Sequence, residues 1–537
     1  MMDHFPSIFN DVIGPVMRGP SSSHCAAAVR IGRMARDLMD GEIREVSISF
    51  DTGGSLAATY ESQGSHVGLM GGLLGWGADD ERLVRSAQSA REKGLEADIR
   101  IADFRDLHPN TYRLSLRNDT QAHEMIVLST GGGMIEVIEI DGVSVSMTGD
   151  YVETLVYLKP DEEKIIDFLR LNVPAEEIAV RTGKRIRFIE IKSRAPLDDR
   201  LLSAVCTRTG VAGIKTLAPV LPVLSSRNVE VPFVTCRQML DYNRGKELSL
   251  WELAVRYECA RGNISGAEVI EKMKEIVRIM RRSLARGLSG TEYPDRILGC
   301  QSKAFRHHME KGTLLDGGIL NRMILYVTAL MEAKSAMEVI VAAPTAGSCG
   351  VLPGACLAAS DEMGFSEEQT AQGLLSAGLI GIFISAQATF AAELGGCQAE
   401  CGAGSGMAAA ALVTLTGGST CKAVNAASTA LQNILGMVCD PVANRVEVPC
   451  LGKNVLAAAN ALSCANMAVA GFNPVIPLDE VIEAMYQVGR RIPSDLRCTG
   501  RGGLSVTRTA KEIENSLAAE QIKTAGPGRG NKKRDLA

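Results

Sequence analysis

The sequence predicts a multidomain chain: an α+β domain at the N-terminus, a small α+β module after it, and an all-helical domain over most of the remainder. Three observations carry this. The 537 residues exceed what one hydrophobic core usually organises, and chain length alone suggests about three domains. Period-two apolar alternation recurs up to about residue 225 and fades after about residue 235. Beyond that point long Ala/Gly-rich apolar stretches dominate. The expected boundaries are 1–150, 151–228 and 229–516, with 517–537 a disordered tail.

In the first domain, Ala26 to Leu38 reads as a helix behind a Ser-rich start, and Glu45 to Phe50 alternates as a strand ending at Gly53-Gly54. Met125 to Leu128 and Ile135 to Ile140 are further strands, the second followed by the turn signal Asp141-Gly142. The pattern then repeats in miniature. Thr154 to Leu158 and Ile186 to Ile191 read as strands, Asp161 to Leu171 and Leu197 to Thr207 as helices. This suggests a βαββαβ module of the ACT type. Leu248 to Gly262, Ala267 to Leu288 and Ile319 to Lys334 carry helical spacing.

Thr370 to Ala392 is long enough to span a bilayer, which takes roughly 20 residues. Its Gln, Ser and Gly content and the lack of an aromatic belt argue instead for a helix buried in a helical core. Ala403 to Thr420 and Val455 to Gly471 read the same way, so no membrane is expected. The net charge of −5 gives no global basic field for nucleic acid. The one basic run, Gly528 to Arg534, reads as a solvated tail. Met1 to Asn10 has no apolar signal-peptide core, so a cytoplasmic location is expected. Fourteen cysteines in a reducing compartment then read as buried hydrophobes, metal ligands or reactive thiols rather than disulfides.

Cys397, within Gly395-Gly396-Cys397-Gln398-Ala399-Glu400-Cys401-Gly402, sits in a Gly-flanked loop between apolar helices. Cys439-Asp440-Pro441 and Val448-Pro449-Cys450 place thiols at chain breaks, where a loop can turn a sulfur inward. There is no Cys-x-x-Cys pair, which argues against a zinc ribbon or a thioredoxin-like pair. From spacing alone, buried core cysteines remain an equal alternative.

Residues 340–505 resemble the catalytic domain of iron–sulfur-dependent L-serine dehydratases. The resemblance rests on Ala343-Pro344-Thr345-Ala346-Gly347-Ser348-Cys349-Gly350, Gly396-Cys397-Gln398, Cys439-Asp440-Pro441-Val442-Ala443, Val448-Pro449-Cys450 and Arg501-Gly502-Gly503-Leu504. Gly19-Pro20-Ser21-Ser22-Ser23-His24 resembles the family's N-terminal signature, giving a single chain with β and α domains fused. The resemblance implies a 4Fe–4S cluster on Cys397, Cys439 and Cys450 with one iron left open as a Lewis acid. It implies α,β-elimination of water from L-serine, giving pyruvate and ammonia without pyridoxal phosphate.

On the same basis His24, His66 and Ser23 are the catalytic candidates, and His108 a weaker one. Ser21, Ser22, Thr345, Gly347, Ser348 and Arg501 are the candidates for binding a small amino-acid substrate. Each has a structural alternative: N-capping for the serines, a helix-entry turn at Thr345 to Ser348, and a surface turn at Arg501. Asp440 orients the cluster loop or caps a helix; His307 and His308 read as solvated. Ala346 stands where some of these enzymes carry Asn, Ala399 where some carry Gly, Cys401 where others carry Val, and Asn444 replaces a Gly. Elimination from L-cysteine or L-threonine, or a cluster-based redox or iron sensor, are therefore the alternatives. Ala510 lies near the place of a C-terminal cysteine that covers the cluster in some members; neither Cys498 nor Cys401 is assigned to that role. A homodimer is expected, because small modules of this type commonly pair subunits.

Overall fold

The computed structural model describes residues 5–159, 165–293 and 296–524. The first sheet has six strands in the order Glu96–Ala102, Glu45–Asp51, Thr111–Arg117, Ala122–Gly131, Met134–Ile140 and Val143–Met147. All its neighbours are antiparallel except Glu45–Asp51 with Glu96–Ala102. The predicted Asp141-Gly142 turn joins the last two strands, both residues at positive φ as a tight hairpin demands. Helix Ala27–Leu38 lays Ala28, Ile31, Met34, Ala35 and Leu38 on this sheet. It crosses helix Ser65–Leu73 backbone to backbone: a Cβ at Gly72 would stand 2.2 Å from the Val29 carbonyl oxygen.

The second unit runs strand, helix, strand, strand, helix, strand. Its antiparallel sheet has the order Val211–Leu217, Val152–Leu158, Arg187–Ser193, Glu177–Thr182. The first helix is described over Ile165–Asn172; the predicted start at Asp161 lies outside the described residues. Alternation decides what each face covers. Val156, Ile189 and Ile191 pack under the two helices. Leu155, Phe188 and Leu217, pointing the other way, join the core of the first domain. Both faces of this small sheet are therefore buried.

Two expected boundaries move. The segment Ile8 to Met17, assigned to the first domain, buries Ile8, Phe9, Val12, Ile13 and Met17 in the helical core. Gly378 and Gly381 on helix Glu367–Gln387 make room: a Cβ there would come within 2.6 Å of Ile8 Cγ2 and 2.0 Å of Val12 Cγ1. Next to it, Val16–Arg18 pairs antiparallel with Val339–Val341. The helical domain is thus not purely helical, and the strand it contains is completed by the N-terminus. The tail prediction also moves: helix Arg508–Thr524 continues past residue 517, and the basic run 528–534 lies outside the described residues.

Helices Leu250–Gly262, Gly266–Ser289, Ile319–Ser335, Val351–Met363, Ala403–Leu415, Thr420–Gln432, Cys450–Val469 and Leu478–Arg491 form this body together with Glu367–Gln387. Among the described residues, Glu367–Gln387 is the helix long and apolar enough to cross a membrane, and 78% of its apolar window is buried inside the protein.

Candidate active site

The segment 392–402 organises the site. Residues 395–402 of it were expected to be a loop; the segment is a short helical turn, Ala392–Gly395, a break at Gly396, and a wide turn, Gln398–Gly402, running into helix Ala403–Leu415. Gly396 makes the break (φ +74°), and a Cβ there would meet the Met437 carbonyl oxygen at 2.8 Å. Residues 393, 397 and 400 consequently share one face.

Each of the three meets a different motif. Glu393 accepts from the Ser23 hydroxyl at 2.9 Å and lies 3.7 Å from Nδ1 of His24. Glu400 accepts from the Thr345 hydroxyl at 2.6 Å and presses on the Thr345 to Ser348 turn. A Cβ at Gly347 would sit 2.7 Å from its carboxyl oxygen, so a larger residue there would push this carboxylate aside. Cys397 faces Cys439, and the ligand atoms of Cys397, Cys439 and Glu400 all lie within 4.8 Å of one another.

Cys439 is held by backbone bonds on both sides, to the Leu496 carbonyl at 2.8 Å and from the Cys498 N–H at 2.9 Å. Cys450 opens helix Cys450–Val469 directly behind Pro449. Asn454, buried one turn on, donates to the carbonyls of Gly347 (2.8 Å) and Cys450 (2.9 Å) and accepts from Gly350 N–H at 3.2 Å. It ties the Thr345 turn to the Cys450 helix.

The electrostatics follow from burial. Hydrogen bonds to Cys397 and Cys498, and then burial, raise the Cys439 thiol well above its ordinary value. Burial first and Cys397 second raise Cys450. Burial pushes the Glu400 carboxyl up to about 7, against the opposing Thr345 hydrogen bond. Buried soft sulfurs at strained cost, with Lys453 beside Cys397, form a donor set that suits a thiolate-bound metal centre such as iron–sulfur.

The serines do not cap the helix as the simple alternative required: Ser21 makes no side-chain cap bond. The Ser22 hydroxyl instead accepts from Ala346 N–H at 3.3 Å, joining the N-terminal signature to the Thr345 turn. His24 is fully buried. The Thr59 hydroxyl spends its proton on the Ser55 carbonyl (2.7 Å), so it must accept from His24 Nε2–H at 2.7 Å. The Nδ1 lone pair then faces Ser21 (3.0 Å) and Ser23 (3.3 Å). Burial lowers the His24 pKa against the pull of Glu393.

Other predicted residues stand apart. His66 is half-buried, its Nδ1 at 3.3 Å from the Tyr60 carbonyl, its pKa lowered by burial. Arg501 is exposed and donates to the Thr52 carbonyl at 3.3 Å, the surface-turn alternative rather than a place among the thiols. Asp440 receives Lys453 and Leu504 N–H and so orients its loop. His307 and His308 are exposed.

Asn444 sits at φ +55°, a conformation suited to Gly or Asn, and donates to the Ala58 carbonyl at 3.3 Å; its departure is conformational. Cys401 packs on Asn454 at 3.6 Å. Glu393, Glu400, Asn454 and Lys453 escaped the sequence reading because no local pattern marks them. The 393/397/400 spacing is the one signal that could have found the two glutamates, and Gly395-Gly396 disguises it.

The serine dehydratase alpha chain family matches residues 245–505. A probable L-serine dehydratase alpha chain of Bacillus subtilis is 35% identical over 285 residues, 53% of this chain and 95% of that protein. The probable beta chain of the same organism is 33% identical over 221 residues, 40% of this chain and 99% of that protein. The L-serine dehydratase of Streptomyces coelicolor is 27% identical over 499 residues, 91% of this chain and 96% of that protein.

Proposed function

The chain belongs to the L-serine dehydratase family, in a form joining alpha- and beta-type regions, and from that premise we propose that it converts L-serine to pyruvate and ammonia by α,β-elimination. The supporting observation is the one segment that carries Glu393 to Ser23, Cys397 to Cys439 and Glu400 to Thr345. It joins the signature of the first domain to a buried thiol group.

We assign Cys397, Cys439 and Cys450 as ligands of a 4Fe–4S cluster, which when bound supplies a Lewis acid for the departing hydroxide. The chain's own residues supply the rest. We assign Ser21, Ser22, Thr345 and Ser348, with the Gly347 backbone, to holding the substrate's polar ends: Ser22 meets Ala346 N–H, and Thr345 bonds both Ser348 and Glu400. Two groups can take the Cα proton near neutral pH: His24 through Nδ1, and Glu400, whose pKa of about 7 matches that task. Loss of the Cα proton and the β-hydroxyl leaves aminoacrylate. That tautomerises to an imine, and water releases pyruvate and ammonia. His66 and Arg501 are left as outer contributors. The fourteen free cysteines agree with a reducing, cytoplasmic setting, and two chains are taken as the working unit.

Anaerobic reconstitution with iron and sulfide, followed by 2-oxo acid release from L-serine, L-cysteine and L-threonine, tests the reading. L-Serine should be the fastest substrate. Faster release from cysteine would reassign the substrate. No ammonia from any of the three, with a spectroscopic signal indifferent to all, would favour a sensor. Cys397→Ser retaining both colour and turnover would remove the cluster assignment. Comparing pH–rate profiles of His24→Asn and Glu400→Gln identifies the base.

A further inference from the structure

Lys453 lies on the first turn of helix Cys450–Val469, three residues after a proposed ligand. We propose that it is a positioning residue for the metal centre: its ammonium donates to the Cys397 sulfur and, through Asp440, fixes the Cys439 segment. One side chain then steadies two of the three thiolates and offsets their charge. The proposal rests on the cluster reading above.

The side chain is only 15% exposed, so its three N–H donors need partners inside the protein. It has three acceptors: the Val438 carbonyl at 2.7 Å, Asp440 Oδ1 at 2.8 Å and Cys397 Sγ at 3.9 Å. Two of these flank Cys439 in sequence, and the third is a thiol on a different segment. A lysine serving only to close the 438–440 segment would be content with the two oxygens.

Asp440 carries the bracket outward. Its Oδ2 accepts Leu504 N–H at 2.9 Å. Gly503 permits this: it sits at φ +59°, and a Cβ there would be 2.5 Å from that same oxygen. The Gly502-Gly503-Leu504 run, which the substrate chemistry leaves unused, thus delivers a backbone N–H to the carboxylate that holds Lys453. Sulfur, ammonium, carboxylate and amide form one chain across four segments. Buried thiolates are costly without a nearby cation, and a compact ammonium suits this confined point better than a planar guanidinium.

Groups that orient metal ligands typically cost 10–100-fold in metal affinity when removed. In the reconstituted holoenzyme, Lys453→Met should lose iron to a chelator at least about tenfold faster than the parent. Its cluster midpoint potential should fall, because N–H donors to cluster sulfurs favour the reduced state. Lys453→Arg, which keeps the charge but fits this confined point less well, should recover part of the potential shift, and Asp440→Asn should reproduce part of the faster loss. A merely structural lysine would lower thermal stability but leave the potential of the loaded cluster unmoved. Where the Met variant does not fold, Lys453→Gln replaces it with the same expectation. Parent-like iron loss and potential in the uncharged variant, with normal loading, overturn the proposal alone. A parent that takes up no iron and sulfide overturns the cluster reading itself.

Discussion

Glu400 shows how far a single residue's surroundings set its chemistry. Its carboxyl lies at about 7 chiefly because burial disfavours the charge. The native state therefore keeps a proton that the unfolded chain has released between about pH 4.5 and 7. Stability tied to this group is present below that window and lost as pH rises through it. Metal-free Glu400→Gln should match the parent near pH 4 and exceed it by up to about 3 kcal/mol at pH 8 in thermal unfolding. Cys498 gives a second outcome. It is buried against Cys439, accepts from the Gln63 amide at 3.4 Å, and sits at φ +61°. Cys498→Ser should keep the iron and sulfide content of the parent, whereas serine at Cys397, Cys439 or Cys450 should lose it; loss in Cys498→Ser would make it a fourth ligand.

Among the elements, the fit of the N-terminal segment onto helix Glu367–Gln387 is the most exposed to a small change. Gly381 faces Val12 with no room for a Cβ. Gly381→Leu should lower stability by about 1–3 kcal/mol, read as an earlier unfolding midpoint; an unchanged midpoint would mean that Val12 has another place to go. This contact also explains what the sequence hid. The helices were legible from their spacing, and so were the strands beginning at Glu45 and Met134, because each pattern is local. Val339–Val341 was not, since three residues carry no period and its partner Val16–Arg18 lies over three hundred residues away. The thiols were legible as a group only through their flanking motifs. Glu393 and Glu400 were not, because their role depends on which segments fold against them.

The whole molecule is joined where the small module's sheet meets the first domain, and the charges trapped there give its pH response. Glu153, on strand Val152–Leu158, is 1% exposed, and neither carboxyl oxygen has a hydrogen-bond partner. Across the strand pair, Lys192 stands 3.9 Å away and donates to the Ser146 carbonyl at 2.7 Å instead. Glu190, Asp150 and Glu177 add negative charge nearby, with Glu190 itself bound by Arg181 at 2.6 Å. Burial, beyond what Lys192 offsets, raises the Glu153 pKa well above the ordinary carboxylate range. The sign follows as for any acid whose native pKa is raised. The native protein holds the proton longer than the unfolded chain, so the junction is firmest in acid and weakens as pH climbs above about 4.5. Glutamine keeps the shape and removes the charge. Glu153→Gln should therefore unfold at a temperature higher by on the order of 2 °C at pH 8 and at the parent's temperature near pH 4. Because Leu155 and Phe188 share the first domain's core, the gain should appear in the unfolding of both units together rather than in the module alone. A gain confined to one transition would show that the two fold independently.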